Sequence, residues 1–300
     1  MSESSSFGRR ELLKRAAVAG AGAAAVGAGL RPVLAQEAGE PNVPLLDTVP
    51  RRKLGKTGET IPILFMGGSQ KFDPTYDKML HRAFRLGINY IDTAESYANG
   101  QSHVTLRPFI EQVGRENLWI TSKSGMFRGA DAAPVSQYRD AIMKEFDVLG
   151  VDQLDAYFFH GLRHMECLGP EYLAFADELK KSGKTKYFGF SCHDGNVVEL
   201  MNKAAELGSD AINLIMFKYS FKDYGDLELN KAMDACVNAG IGLLGMKTQS
   251  SVPTDSEFVT KFQSQNFTRP RRHICIAKAV RTSANRAWRA TCASASSCAT

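Results

Sequence analysis

No two of the six cysteines stand as CxxC. A dithiol centre or a zinc knuckle would need that spacing, so the sequence indicates no metal site. Nor is a structural disulfide expected in the body. Cys167, Cys192 and Cys236 fall in helix or strand-end contexts, where a small buried thiol is ordinary. A GxGxxG fingerprint is missing after the first strand-like run, which argues against a doubly wound dinucleotide-binding sheet. The apolar run Ala16 to Leu30 is poor in Leu and Ile and too short to span a bilayer. A basic footprint is lacking as well. The formal charge of +5 comes from the two ends: residues 1–35 carry five basic and two acidic side chains, and residues 269–300 carry seven basic and none acidic. The rest, 36–268, has 25 basic against 30 acidic side chains, a balance of −5. A mildly acidic body does not attract nucleic acid, and small molecules are its expected partners.

What is present begins with an address. Phe7-Gly8-Arg9-Arg10-Glu11-Leu12-Leu13-Lys14 precedes the Ala/Gly-rich run, and Val33-Leu34-Ala35 supplies small residues for a signal peptidase. Charged region, apolar region and cleavage site are the parts of an export signal, and the paired arginines point to the twin-arginine machinery. No cysteine stands at the cleavage point, so no lipid anchor is indicated. The expectation is a signal over 1–35, a linker over 36–50, and a protein exported to the periplasm or another extracytoplasmic space without stable membrane insertion.

From residue 51 the pattern becomes regular. Arg52 to Ile63 reads as a hairpin turning at Gly55-Lys56-Thr57-Gly58. Apolar strands then alternate with helical spacing: strand Ile63–Met66 with helix Pro74–Leu86, strand Ile88–Thr93 with a helix from about Ser102 to Val113, and strand Leu118–Lys123 with helix 135–149. Four more strands follow, ending near His160, Ser191, Phe217 and Met246. Between the markers Gly68, Asp92, Lys123, His160, Ser191, Tyr219 and Lys247 the intervals are 24, 31, 37, 31, 28 and 28 residues. Each is one strand–crossover–strand unit, so the strands should be parallel. Seven such units behind a hairpin predict a (β/α)8 TIM barrel over 51–268, with every marker on one rim.

The end of the chain departs from this pattern. Residues 269–300 contain no Leu, Gly, Asp or Glu. An eighth strand is due near residue 275, where His273 to Val280 is the only apolar run, and a following helix could come only from Ser283–Ala290. The eighth unit therefore reads as aberrant or incomplete. The abrupt change of composition after Thr268 suggests a frame-shifted or otherwise aberrant continuation.

Chemistry gathers at the strand ends. Asp92 closes one strand and Tyr97 follows five residues on; Lys123 closes the next strand and His160 the one after. An acid, a phenol, an ammonium and an imidazole at successive strand ends of one rim form a proton-transfer site. A phenol of pKa ~10 is a slow acid at neutral pH. An ammonium about 4 Å from a phenol, at an effective dielectric of about 20, favours the phenolate by ~4 kcal/mol, or roughly three pKa units.

These residues lie in stretches that resemble the aldo/keto reductase family. The matching stretches are Arg52 to Gly58, Ile91-Asp92-Thr93-Ala94-Glu95-Ser96-Tyr97, Ile120-Thr121-Ser122-Lys123, Tyr157-Phe158-Phe159-His160 and Gly183 to Ser191. Gly245-Met246-Lys247 and Ser191-Cys192-His193 are closer to a bacterial branch of it. Members of that branch often add a C-terminal iron–sulfur segment, and the cysteine cluster for one is missing here. The resemblance implies an oxidoreductase that moves hydride between NADP(H), or NAD(H), and an aldehyde, ketone or sugar carbonyl. Tyr97 would be the general acid, Lys123 the charge that makes it acidic, Asp92 the group that holds Lys123, and His160 a donor to the carbonyl oxygen. Ser191 matches the serine that contacts the nicotinamide carboxamide, and Tyr219 and Lys247 would border the nicotinamide or its phosphates. Four departures stand out: Cys192 where Asn is expected, Met216 for Gln, Ala98 for Gly and His103 for Glu. His103 is expected to be a solvated helix-start residue. Phe127, Tyr219 and Phe221 could line an apolar substrate pocket. The other reading of the chain is a catalytically silent barrel that binds nicotinamide cofactor or a partner as a sensor.

Overall fold

A computed structural model describes residues 48–124, 132, 134–193, 195–220, 223, 225–248 and 274–278. The predicted hairpin is there: β1 (Arg51–Lys53) pairs antiparallel with β2 (Thr60–Pro62), Arg52 opposite Ile61. It closes one end of the barrel. Leu54 and Ile61 are buried against Phe65, Tyr90 and Trp119, and the Tyr187 hydroxyl donates to the Thr57 carbonyl at 2.8 Å.

The strands β3 (Leu64–Gly67), β4 (Tyr90–Asp92), β5 (Trp119–Ser124), β6 (Leu154–Phe159), β7 (Thr185–Cys192), β8 (Leu214–Lys218) and β9 (Gly242–Met246) are hydrogen-bonded in chain order, all parallel. The short β10 (Ile274–Lys278) pairs with β9 through Ile274↔Leu243 and with β3 through Ile276↔Leu64, which closes the barrel. The eighth strand thus falls where the interval rule puts it. The expected helix over Ser283–Ala290 lies outside the described residues, as do Phe127 and Phe221.

Among the described residues six helices lie between the strands: α1 (Lys78–Arg85), α2 (Gln101–Val113), α3 (Val135–Leu149), α4 (Pro170–Lys181), α5 (Val197–Leu207) and α6 (Leu227–Ala239). α1 starts four residues later than Pro74 because Asp77 caps it, its Oδ1 accepting from the Met79 and Leu80 N–H groups at 3.0 Å. Among the described residues no helix is long and apolar enough to cross a membrane.

Period-two alternation along each strand separates two cores. Ile120, Tyr157, Phe159, Phe188, Phe190 and Cys192 point outward under the helices. Phe65, Tyr90, Trp119, Phe158, Leu214, Met216 and Leu244 point inward. Near the hairpin, Trp119 stacks between Tyr90 (centroids 5.8 Å, 13°) and Tyr187 (5.6 Å, 9°). β7 can come this close to β8 only through Gly189, where a Cβ would lie 2.0 Å from the Leu214 carbonyl oxygen. Asp155, almost fully buried at the start of β6, accepts from Arg115 at 2.8 Å, Lys186 at 2.9 Å and the Ile120 N–H at 2.9 Å. Three donors compensate its burial. Inward phase and parallel register together bring the upper ends of β4, β5 and β6 to one rim.

Candidate active site

Tyr90 fills the barrel interior, so Asp92, two residues on, points the same way. Two such steps from Trp119 bring Lys123 inward, and one from Phe158 brings His160 inward. In the sheet Asp92 is level with Thr121, and Lys123 with Phe158. The three catalytic candidates on strands are thus stepped up by two residues from each strand to the next, and together they make the upper layer of the interior. All are buried: Asp92 is 6% exposed, Lys123 0% and His160 1%. Tyr97 is half-buried in the loop between β4 and α2.

Lys123 is the centre of this layer. Its Nζ lies 2.6 Å from Asp92 Oδ1, donates to the Thr93 carbonyl at 2.8 Å, and donates to Tyr97 Oη at 3.3 Å. The ammonium is also 4.8 Å from the centroid of the Tyr97 ring. Tyr97 meets His160 edge-to-face, with centroids 5.4 Å apart and planes at 83°. Burial by itself would depress Lys123, but the Asp92 carboxylate and the Tyr97 oxygen outweigh it and hold the ammonium above its ordinary pKa. Burial raises Asp92, and the charge on Lys123 opposes that rise. Coupling between two sites is mutual, so the phenol oxygen that favours a charged Lys123 is itself pushed toward the phenolate by it. Such a set can hold and release a proton at Tyr97 Oη.

The loop that presents Tyr97 has an unusual backbone. Ala98 (φ 51°), Asn99 (φ 54°) and Gly100 (φ 82°) are left-handed in succession, and the Gly100 and Ser102 N–H groups both donate to the Tyr97 carbonyl, at 3.1 and 3.2 Å. Asn tolerates this region and Gly is indifferent to it, but Ala is not. Ala98→Gly is expected to raise stability by ~0.5–1 kcal/mol, the steric relief less the entropy of glycine. A higher urea midpoint with an unchanged slope is the result to look for.

The cofactor candidates lie at the upper ends of the next three strands. Ser191, fully buried and level with Met216, accepts the Gly161 N–H at 2.9 Å through Oγ. Tyr219 is half-buried just beyond β8, its N–H donating to the Met246 carbonyl at 3.1 Å. Lys247 is exposed just beyond β9, with φ 54°. Cys192 faces outward, buried under the helices with its Sγ 3.9 Å from Asn196 Oδ1, so it does not border the rim. Met216 faces the interior.

His103 is not solvated. The third residue of α2 faces the sheet, and the side chain is 2% exposed, with Nε2 3.1 Å from Ser122 Oγ. Ser122 donates in turn to Glu145 Oε2 at 2.6 Å, and the Tyr157 hydroxyl donates to Glu145 Oε1 at 3.2 Å. Burial, helped by the Lys123 charge, pushes His103 down to about 3. Burial also pushes Glu145 up to about 8, and the hydrogen bond from Ser122 pulls against it. This polar layer behind β5 was not expected from the sequence, because its members are four unremarkable residues on four separate elements. The Thr93 carbonyl that holds Lys123 was missed for a simpler reason: backbone groups carry no sequence signal.

A family model for the aldo/keto reductases matches residues 65–294. The chain belongs to the aldo/keto reductase family. Its members use nicotinamide cofactors. Among curated proteins, the chain is 29% identical over 184 residues to the uncharacterized oxidoreductase YqkF of Bacillus subtilis, covering 58% of this chain and 57% of that one. It is 28% identical over 176 residues to an NADH-specific methylglyoxal reductase of Escherichia coli, covering 53% and 52%. The chain thus spans about half the length of the curated relatives it matches. In three dimensions it resembles a thermostable aldo-keto reductase crystallised with the inhibitor epalrestat, with a TM-score of 0.62, 23% identity, and coverage of 81% of this chain and 94% of that one. A holo-form aldo-keto reductase of Bacillus halodurans gives a TM-score of 0.59 at 20% identity, covering 77% and 86%. At these identities the structural likeness concerns the fold.

Proposed function

We propose that this aldo/keto reductase reduces an aldehyde, ketone or sugar carbonyl to the alcohol, with Tyr97 as the general acid. The observation that carries the reading is the single ammonium of Lys123 placed 2.6 Å from Asp92 Oδ1 and 3.3 Å from Tyr97 Oη. A nicotinamide cofactor bound at this rim supplies the hydride. Tyr97 Oη gives its proton to the carbonyl oxygen, Lys123 stabilises the phenolate left behind, and Asp92 keeps Lys123 charged and in place. His160 directs a ring N–H at the carbonyl oxygen and stabilises the charge that develops there.

The residues present fit a nicotinamide cofactor. Ser191 accepts from Gly161 and keeps its own hydroxyl hydrogen as a donor for a carboxamide. Tyr219 offers an aromatic face and Lys247 an ammonium at the ends of β8 and β9. NADP(H) is the proposed cofactor on family habit alone, with NAD(H) as the alternative, because the basic residues that grip a 2′-phosphate in this family normally follow the eighth strand, where this sequence departs from the pattern. That one relative is named for NADH and methylglyoxal adds a small oxoaldehyde and NADH to the pairs worth testing. The arginine pair and small-residue site near the N-terminus support export by the twin-arginine route, which carries folded protein and suits one that binds its cofactor first.

The test is fluorescence quenching of NADPH and NADH alongside turnover of nitrobenzaldehyde. Binding with turnover is the expected result. Binding without turnover would instead identify a silent cofactor-binding barrel.

A further inference from the structure

We propose that Ser124 is a positioning residue for the reduction, fixing Tyr97, Lys123 and His160 relative to one another. The proposal rests on the proton-transfer reading of this site. Lys123 points into the barrel, so its neighbours Ser122 and Ser124 point outward, and both are fully buried. Each serine reaches a carboxyl group: Ser122 Oγ donates to Glu145 at 2.6 Å, and Ser124 Oγ donates to Glu95 Oε1 at 3.2 Å. The two contacts differ in what they hold. Glu145 belongs to a helix behind the strand, whereas Glu95 belongs to the catalytic loop, two residues before Tyr97.

Ser124 makes a second connection to the tetrad. Its carbonyl accepts the His160 N–H at 3.0 Å. On its other side the Lys123 carbonyl accepts the Glu95 N–H at 3.2 Å. One residue of β5 therefore follows the ammonium in the chain, holds the backbone of the imidazole, and holds the loop of the phenol through its side chain. Beyond Tyr97 the loop runs through the left-handed turn at Ala98, Asn99 and Gly100, a conformation that Ala98 adopts only under strain. A strained turn persists where its surroundings over-determine it, and the Ser124–Glu95 bond joins the Lys123–Thr93 bond in anchoring the near end of this loop to the strand bearing Lys123. The hydroxyl also interacts with the Tyr157 phenol, which joins the anchor to the polar layer behind β5.

Removing the anchor lets Tyr97 move from its 3.3 Å contact with Lys123. Two consequences follow. The proton donor is misplaced relative to the carbonyl, and the phenol lies farther from the cation that favours its ionised form. Ser124→Ala is expected to lower kcat by about tenfold with KM little changed, a misplacement rather than a binding effect. In the same variant the titration of Tyr97, followed by NMR of protein carrying ring-labelled tyrosine and assigned with Tyr97→Phe, moves to higher pH. Glu95→Gln keeps an oxygen that accepts from Ser124 and is expected to retain kcat. Where Ser124→Ala does not fold, Glu95→Ala removes the same bond from the half-buried loop. It is expected to lose as much rate, with Tyr97 titrating above its position in Glu95→Gln, which lacks the same charge.

A purely structural Ser124 would lower thermal stability and leave the Tyr97 titration where it is in the wild type. That outcome, or a Glu95→Gln variant as slow as Ser124→Ala, overturns the proposal. The titration is read without substrate. It decides the question even if the wild type reduces no aldehyde, a result that would count against the proposed function alone.

Discussion

Tyr97→Phe is expected to lower kcat for aldehyde reduction by about 10²–10⁴-fold, the usual worth of a positioned general acid. Binding of NADPH, followed by fluorescence quenching, should be nearly intact. The ring survives the change, so its edge-to-face contact with His160 and its place beside Lys123 are kept. What disappears is the oxygen 3.3 Å from the ammonium, the one proposed to give its proton to the carbonyl. Lys123 keeps Asp92 at 2.6 Å and the Thr93 carbonyl at 2.8 Å, so the buried cation remains compensated and the variant should fold. The loss should fall on kcat and kcat/KM alike, as it does when an interaction made only in the transition state is removed. Unchanged rates would remove Tyr97 from the acid role.

The second large effect concerns stability rather than rate. Glu145 titrates near 4.5 in an unfolded chain and at about 8 in the fold, chiefly because it is buried. Between those values the unfolded state has lost the proton that the native state keeps, so stability falls as pH rises, by up to about 5 kcal/mol at about 1.4 kcal/mol per pH unit. His103 runs the other way. Its value falls from 6.5 to about 3, so the unfolded state takes up a proton that the native state refuses, and stability falls as pH drops through that window. From about pH 4.5 to 6.5 the two slopes cancel. Above 6.5 the decline belongs to Glu145, and below 4.5 to His103.

Glu145→Gln should therefore be more stable than the wild type at alkaline pH, with an advantage that grows by about 3 kcal/mol between pH 5 and pH 8. The amide still accepts from Ser122, and its extra donor costs something that does not vary with pH. Denaturant unfolding of both proteins at pH 5, 6.5 and 8 measures the difference. An advantage that stayed constant with pH would mean that Glu145 is ionised in the fold. The reasoning bears on the catalytic layer too, because Ser122, which holds Glu145, adjoins Lys123 in β5.

The sequence by itself determined the barrel, and it named Asp92, Tyr97, Lys123 and His160 as the candidates for a proton-transfer set at its rim. Regular intervals between apolar strands, each ending in a polar residue, are properties of local pattern, and parallel pairing of successive units follows from them with little freedom. For the same reason the eighth strand could be placed near residue 275 in a tail of foreign composition: a closed barrel leaves two strand edges with one vacancy between them. Tertiary structure alone decided the rest. That His103 is buried depends on which side of α2 meets the sheet, and a helix-start position does not say so. That Cys192 turns away from the rim while Ser191 faces it depends on the phase of β7. Ser124, Glu95, Glu145 and Tyr157 belong to different elements and meet only because the crossover helices are laid against one particular pair of strands. A linear pattern carries periodicity, and periodicity is enough to choose a fold. Contacts between side chains far apart in the chain depend on distances in space, which exist only once the strands have closed on one another.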